Sequence, residues 1–354
     1  MSLLAVSVLD RLGNVAATLD CLNGSKVTDD RTQGNRRSCD FQVADPAGVF
    51  SPANAGDLLA PGSTSGYIIK ANTWGNPLGT FVVQTGDVKD TGSERTVEVT
   101  GLDLSWLATN VPTPSAWPVS AGTPWSWAFA DFLGEYLPNL DLSGFTFLPW
   151  PSPAIVVNPG SEAWTEMATK WAPAVGMELF VGPDDVGYLV PVLDPRTQEP
   201  SWSFLEGDGC GMTAVEHSLT DDSCPNVFQR DGVGPGNLII SSAAGDDNPL
   251  SSSYIGTYGY RLDYKQDTLI ASQPQADSAA QCQLFLGLGA NEPVVLTLDP
   301  TIYQRGVPLS GQMAQVTRQK AGLDLAYVVM DTIEHAFFPG ETTTVTGRRV
   351  ARWS

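Results

Sequence analysis

The amino-acid sequence predicts a mainly-β protein (β + α) carrying a small helix-containing α+β insert, and three observations point there. Short apolar/polar alternations recur through residues 1–105 and again through 212–354, as strands with one buried face require. Glycine (35) and proline (26) are frequent enough to supply a turn after almost every such run. Helical spacing of apolar residues is confined to two stretches of the middle third and one near residue 280.

Taken in order, residues 4–9 form a strand, Leu12-Gly13-Asn14 a turn, and residues 15–22 a second strand. Asn23-Gly24 supplies another turn, being suited to positive φ. Val27 then opens a polar loop. Residues 38–44 alternate with Cys39, Phe41 and Val43 on one face, and Asp45-Pro46-Ala47-Gly48 breaks the run. After a long Pro/Ala/Gly loop, strands are expected at 67–72, 80–86 and 95–102.

Residues 103–175 change character, with prolines clustered at 112–124 and 149–159. A helix over 125–137 would carry Trp125, Phe129, Phe132, Leu133 and Tyr136 as its apolar stripe, with Thr123 as cap and Pro124 in its first turn. A second over 161–171 would start at Ser161, bury Trp164, Met167, Ala168 and Trp171, and end at Pro173. Residues 177–181 and 188–192 read as a hairpin over Gly182-Pro183-Asp184-Asp185. Strand patterns return at 215–219, 227–231, 238–242, 294–298, 311–318, 325–335 and 342–351. One helix, about 274–288, interrupts them and turns Ala279, Ala280, Cys282, Leu284 and Phe285 inward.

Charge narrows the function. The net charge is −20, from 39 acidic and 19 basic residues, and the doublets Arg36-Arg37 and Arg348-Arg349 stand alone. Tight nucleic-acid binding needs clustered Lys/Arg to displace phosphate counterions, so the sequence argues against it; an acidic wall that DNA slides past is compatible. Cys21, Cys39, Cys210, Cys224 and Cys282 contain no CxxC pair, which excludes a zinc ribbon and predicts buried free thiols. The N-terminus lacks a basic signal-peptide start, and no apolar run reaches a membrane span of roughly 20 residues. Synthesis in the cytoplasm follows, with the product soluble or exported inside a particle.

No constellation of residues carries catalysis. The only histidines, His217 and His335, lie in strand-like phrases (Val215-Glu216-His217-Ser218-Leu219 and Ile333-Glu334-His335-Ala336-Phe337), where each preceding Glu points to the opposite face. Both are expected to be half-buried strand residues. Asp29-Asp30, Asp184-Asp185, Asp221-Asp222 and Asp246-Asp247 could supply a glycosidase pair, but all four read as turn residues bonding their own backbone. Gly245-Asp246-Asp247-Asn248 lacks the spacing and closing Glu of a calcium loop, and Pro235 spoils Gly232–Gly236 as a phosphate cradle. Among ten tryptophans, Trp125, Trp164 and Trp171 belong to helix cores, whereas Trp117, Trp127 and Trp150 are candidates for an exposed patch. No catalytic, cofactor-binding or metal residue is assigned, and no cofactor.

Four stretches resemble the tail hub (baseplate hub) proteins of tailed bacteriophages, typified by the phage T4 hub ring. They are Val8-Leu9-Asp10-Arg11-Leu12-Gly13-Asn14-Val15 running into Gly24-Ser25-Lys26-Val27-Thr28-Asp29-Asp30; Arg36-Arg37-Ser38-Cys39-Asp40-Phe41-Gln42-Val43 with Asp45-Pro46-Ala47-Gly48; Glu216-His217-Ser218-Leu219-Thr220-Asp221-Asp222 before Asn226-Val227-Phe228; and the closing strands from Tyr327 to Arg348. The resemblance covers about half of the chain and rests on strand-and-turn patterns. It implies two tube-like β-barrel domains, 1–105 and 212–354 (the latter with a helical insertion around 274–288), flanking an α+β middle domain, 106–211. It also implies a non-enzymatic structural virion protein of the tail tip. Three subunits would set six barrels in a ring and match a sixfold tail tube or distal tail ring to a threefold tip. Fibre and tape measure proteins would lie nearby, with DNA passing through the channel unbound. Since the chain stops at Ser354 with no hydrolase or receptor-binding extension, wall cleavage or receptor contact is expected from other chains or from the middle insert. The rival readings are a carbohydrate-binding adhesin using the Trp-rich middle and a cell-wall glycosidase using the turn acids.

Overall fold

The computed structural model describes residues 4–10, 12–50, 52, 57–61, 66–109, 112–207, 211–220 and 224–353. The first seven strands are β1 (Leu4–Leu9), β2 (Val15–Leu19), β3 (Lys26–Asp30), β4 (Arg37–Ala44), β5 (Ile68–Thr73), β6 (Asn76–Asp90) and β7 (Arg95–Asp103). They pair antiparallel in the order β3-β4-β7-β6-β5-β1-β2. Strict alternation drives this: Cys39, Phe41 and Val43 of β4 and Val97 and Val99 of β7 are all buried on one face. Just past β2, Cys21 makes an isolated bridge to Val43, so the sheet curls back on itself without a closing ladder.

Two expectations change here. The strand at 15–22 ends at Leu19, and the polar loop at Val27 is β3. Its core-facing residues are Val27 and Asp29, both buried, so half of its inward face is an acid that alternation counts as a solvent position.

The middle segment holds α1 (Trp106–Thr109), β8 (Trp117–Val119), α2 (Trp125–Tyr136), β9 (Asp141–Phe145), β10 (Ile155–Val157), α3 (Ala163–Glu166), α4 (Ala172–Ala174), β11 (Met177–Val181), β12 (Val186–Pro191) and β13 (Trp202–Phe204). Its core is aromatic: Trp171 stacks on Phe132 (5.3 Å between centroids) and meets Trp125 and Phe129 edge-on. Pro124, not Thr123, occupies the N-cap of α2, and the Thr123 hydroxyl donates to the Ser120 carbonyl instead. The second expected helix begins at Ala163 without Ser161, passes through a π turn (Met167–Trp171), and includes Pro173 rather than ending there. A proline ring clashes with the carbonyl four residues back. In the wider turn, where the Ala172 amide reaches the Met167 carbonyl, that clash is relieved.

The remaining elements are β14 (Met212–His217), β15 (Val227–Val233), β16 (Ile239–Gly245), α5 (Ile255–Tyr258), β17 (Leu262–Gln266), α6 (Gln273–Gly287), β18 (Pro293–Leu298), β19 (Met313–Arg318), β20 (Leu323–Ala336) and β21 (Thr343–Val350). Strands β14, β18, β21, β20 and β19 pair antiparallel in that spatial order, with β13 added parallel to β19. A separate sheet, β16-β15-β17, packs on α6; β17 escapes sequence reading because its apolar Leu262 and Tyr264 face solvent.

Sheet topology exposes a repeat. The run β3-β4-β7-β6-β5 and the run β14-β18-β21-β20-β19 have the same order in space and in the chain. Each long strand slips register against its hairpin partner, β6 between Val83 and Thr85 and β20 between Met330 and Thr332. Opposite each slip sits a glycine with no room for a side chain: a Cβ on Gly101 would lie 2.9 Å from the Val82 carbonyl, and one on Gly347 2.1 Å from that of Val329. The glycines close the matching phrases Val99-Thr100-Gly101 and Val345-Thr346-Gly347. The second part of β20 then pairs with β3, from Thr332↔Asp30 to Ala336↔Lys26, and fuses the two runs into one 13-stranded sheet. Phe41 and Phe81 from one run share a core with Leu296 and Met330 from the other.

Candidate functional site

The joint where β20 meets β3 gathers a cluster of buried charge: Asp29, Arg36, Arg37 and Asp103. Asp29 is fully buried and accepts from Arg36 Nε (3.0 Å), from the Ser310 hydroxyl (2.7 Å) and from the Ser310 amide (2.9 Å), with Arg37 Nη2 3.8 Å away. Burial alone would raise its pKa; the Arg37 and Arg36 guanidiniums and the Ser310 bonds overcome that and bring it to about 2. Arg36 also donates to the Ser310 carbonyl and lies 4.1 Å from the centre of the Phe180 ring. Arg37 reaches the Val181 carbonyl through Nη1, and its amide donates to Asp103, whose pKa burial raises. Beside them Arg31 grips Glu178 bidentately, at 2.5 and 2.8 Å. The joint is therefore a three-way clasp: Asp29 and the arginines come from the first strand run, Ser310 from the loop before β19, and Glu178, Phe180 and Val181 from β11. A cavity of about 360 Å³ opens beside it, lined by these arginines and by Phe180, Val190 and Leu309.

The acid doublets accordingly part company. Asp29-Asp30 closes a strand and is not a turn; Asp184-Asp185 is the expected turn, with the Tyr188 hydroxyl donating to Asp184 and Thr80 and Lys70 reaching Asp185. Asp246 is buried and accepts from the Ser251 and Ser253 hydroxyls. Asp221-Asp222 and Cys210 lie outside the described residues. No group of three or more His, Cys, Asp or Glu positioned to hold a metal occurs among the described residues. Cys21, Cys39 and Cys282 are buried free thiols, and burial pushes Cys21 and Cys282 up to about 12, away from nucleophilic use.

The two histidines differ. His335 is buried beneath the joint, its Nδ1 3.0 Å from the Tyr303 hydroxyl, which also meets Thr343 Oγ1 at 2.5 Å; burial lowers its pKa to about 4 and keeps it neutral. His217 is half-buried on β14, with Nδ1 3.1 Å from the Ala321 carbonyl and Nε2 3.6 Å from Glu292. Among the candidate patch tryptophans only Trp127 is exposed (66%); Trp117 packs on Phe132, and Trp150 joins the same core. The Arg doublets read as isolated are both structural: Arg348 pairs with Asp331 and donates to the Phe285, Leu286 and Leu288 carbonyls at the end of α6. A signal for the clasp was present in the sequence, since acid and Arg doublets flank a single short turn.

The arrangement is one of ion pairs and hydrogen bonds that hold three segments together. No family model matches the chain, and no curated protein does. Solved structures match along its whole length. A tail protein from Neisseria meningitidis aligns at TM-score 0.67 and 14% identity, covering 98% of this chain and 96% of its own. The 43 kDa tail protein of prophage MuSo2 from Shewanella oneidensis gives 0.68 and 14%, over 99% and 98%. An Escherichia coli type VI secretion component, described as structurally similar to the T4 bacteriophage tail proteins gp27 and gp5, gives 0.56 and 8%, over 99% and 77%. The fold is that of hub-type phage tail proteins.

Proposed function

We propose that this chain is a structural component of a phage tail tip: a homotrimeric hub whose ring of six related β units surrounds a channel for DNA. The observation that carries the reading is the duplicated five-strand run within a single chain, since three such chains present a near-sixfold surface on a threefold body. Likeness to tail proteins over 98–99% of the chain supports it. In this reading residues 1–105 and 212–354 are the two hub domains, and 106–211 braces the first through the Arg31–Glu178 and Arg36–Phe180 contacts and the second through the pairing of β13 with β19. A distal tail or tail tube protein sits above, a tip or fibre protein and the tape measure protein nearby. The protein is made in the host cytoplasm and resides in the virion. It works without catalysis, and its acidic excess lets DNA pass without sticking.

Light scattering over a concentration series, followed by imaging of the particle, tests this. The expected mass is three times the 37.7 kDa of one chain, with a central hole. A strict monomer, alone and with the neighbouring tail ring protein, would overturn it.

A further inference from the structure

The two strand runs are equivalent in topology and unequal in partners. In the second run, the part of β20 beyond its slip lies against β3. In the first run, β5 leaves β6 at Phe81, and beyond its slip β6 continues to Asp90 with β7 as its only paired neighbour among the described residues. The counterpart of β3 in the second run is likewise open. Residues 216–220 lie along β18 and its preceding turn, through Glu216↔Val295, His217↔Val294 and the amides of Ser218 and Thr220 to the Pro293 and Asn291 carbonyls. No strand pairs with their other side among the described residues. Each open edge is the equivalent of one partner in the internal joint.

From this we infer that the subunit contact repeats the internal joint: residues 85–90 of one chain pair antiparallel with residues 216–220 of the next. The inference rests on the trimeric reading above and adds its interface. Registers fix the pairs. Val83 opposite Gly101 matches Met330 opposite Gly347, so Thr85 takes the place of Thr332 and Lys89 that of Ala336. Val27 opposite Cys39 matches His217 opposite Val294, because Cys39 and Val294 each face their run's glycine; Glu216 therefore takes the place of Lys26 and Thr220 that of Asp30. The internal ladder from Thr332↔Asp30 to Ala336↔Lys26 becomes Thr85↔Thr220, Gly86↔Leu219, Asp87↔Ser218, Val88↔His217 and Lys89↔Glu216.

Side-chain chemistry agrees with that register. Leu219 is 64% exposed in the isolated chain, yet its counterpart Asp29 is fully buried; across the new ladder it faces Gly86, whose side-chain position is covered by Pro52 and the Leu59 carbonyl, so Pro52 is the apolar surface beside it. Val88, 39% exposed, takes the place of buried His335. Lys89 falls directly opposite Glu216, an attractive cross-strand pair. The contact is head-to-tail, so it closes into a ring when the turn at each joint divides a full circle.

The test uses the full chain with Cys224→Ser, removing the half-exposed thiol. Asp87→Cys and Ser218→Cys together should, on oxidation, give a covalent trimer on denaturing gels that reductant reverses, while either alone stays a monomer. Lys89→Glu or Glu216→Lys should each raise the concentration for half-assembly about tenfold, and the double reversal should restore it. A wild-type trimer with neither cross-linking nor charge rescue would overturn the pairing and leave the hub reading standing. A chain that stays monomeric at every concentration, with or without the tail ring protein, would overturn both.

Discussion

In the C-terminal run the second part of the long strand lies buried against β3, whereas in the N-terminal run the matching part of β6 borders solvent with Asp87, Val88, Lys89 and Asp90 exposed. The difference shows what burying a strand edge requires. At the joint, β3 brings an acid onto the core face, and Arg36, Arg37 and Ser310 are organised around it. At the open edge the same stretch alternates charge with small residues, the usual guard against indiscriminate pairing. One plan thus yields a locked seam and an open edge, which in the proposed ring is a selective seam.

The locked seam breaks most severely at Asp29. Asp29→Ala leaves two buried guanidiniums without their carboxylate, and the expected loss is about 3–5 kcal/mol in denaturant unfolding. The slip glycines come next. Gly347→Ala forces a Cβ to 2.1 Å from a backbone carbonyl, and Gly101→Ala to 2.9 Å with Cys39 Sγ at 3.1 Å; both should destabilise, by about 1–3 kcal/mol, with Gly347 the worse. If the order reverses, the two slips are not equivalent in packing.

A third effect depends on pH. His335 has a folded pKa of about 4 against 6.5 when unfolded, so the unfolded chain binds the proton more readily. The stability from keeping it neutral is fully present above pH 6.5 and is lost as pH falls toward 4, with a slope of up to about 1.4 kcal/mol per pH unit. Asp29, with its pKa held down at about 2 from 3.8, adds a second loss below pH 3.8. His335→Phe should flatten the upper window only, read as the denaturation midpoint across pH 7 to 3. The smallest effect belongs to Trp127→Ala, expected to change stability by less than about 0.5 kcal/mol and to leave any wall-sugar quenching of fluorescence unchanged. Saturable quenching abolished by that substitution would support the adhesin reading.

Most strands were legible because one face of each is apolar: β4 and β7 follow their alternation almost to the residue, while β20 and β21 are found within two residues of their expected ends although both break alternation around the slip. What escaped follows from the same rule. Strand β3 hid because Asp29 occupies a core position, and β17 because its apolar residues point outward. The duplication hid because Val-Thr-Gly is the one phrase both hairpins keep. The two histidine phrases do not mark it: in the aligned registers His217 corresponds to Val27 and His335 to Val88, so the two are not counterparts. The clasp required knowing that Ser310 and Phe180 arrive from distant segments, which local spacing does not encode.

Strands β3 and β4 are joined by a short turn, whereas between β14 and β18 the chain inserts the β16-β15-β17 sheet and α6. That single interruption is an address label. In the proposed ring of three chains, a neighbour that gripped only the shared five-strand plan would find six near-identical seats, and one that gripped the inserted sheet would find three. Counting bound copies of any partner would therefore reveal which surface it reads.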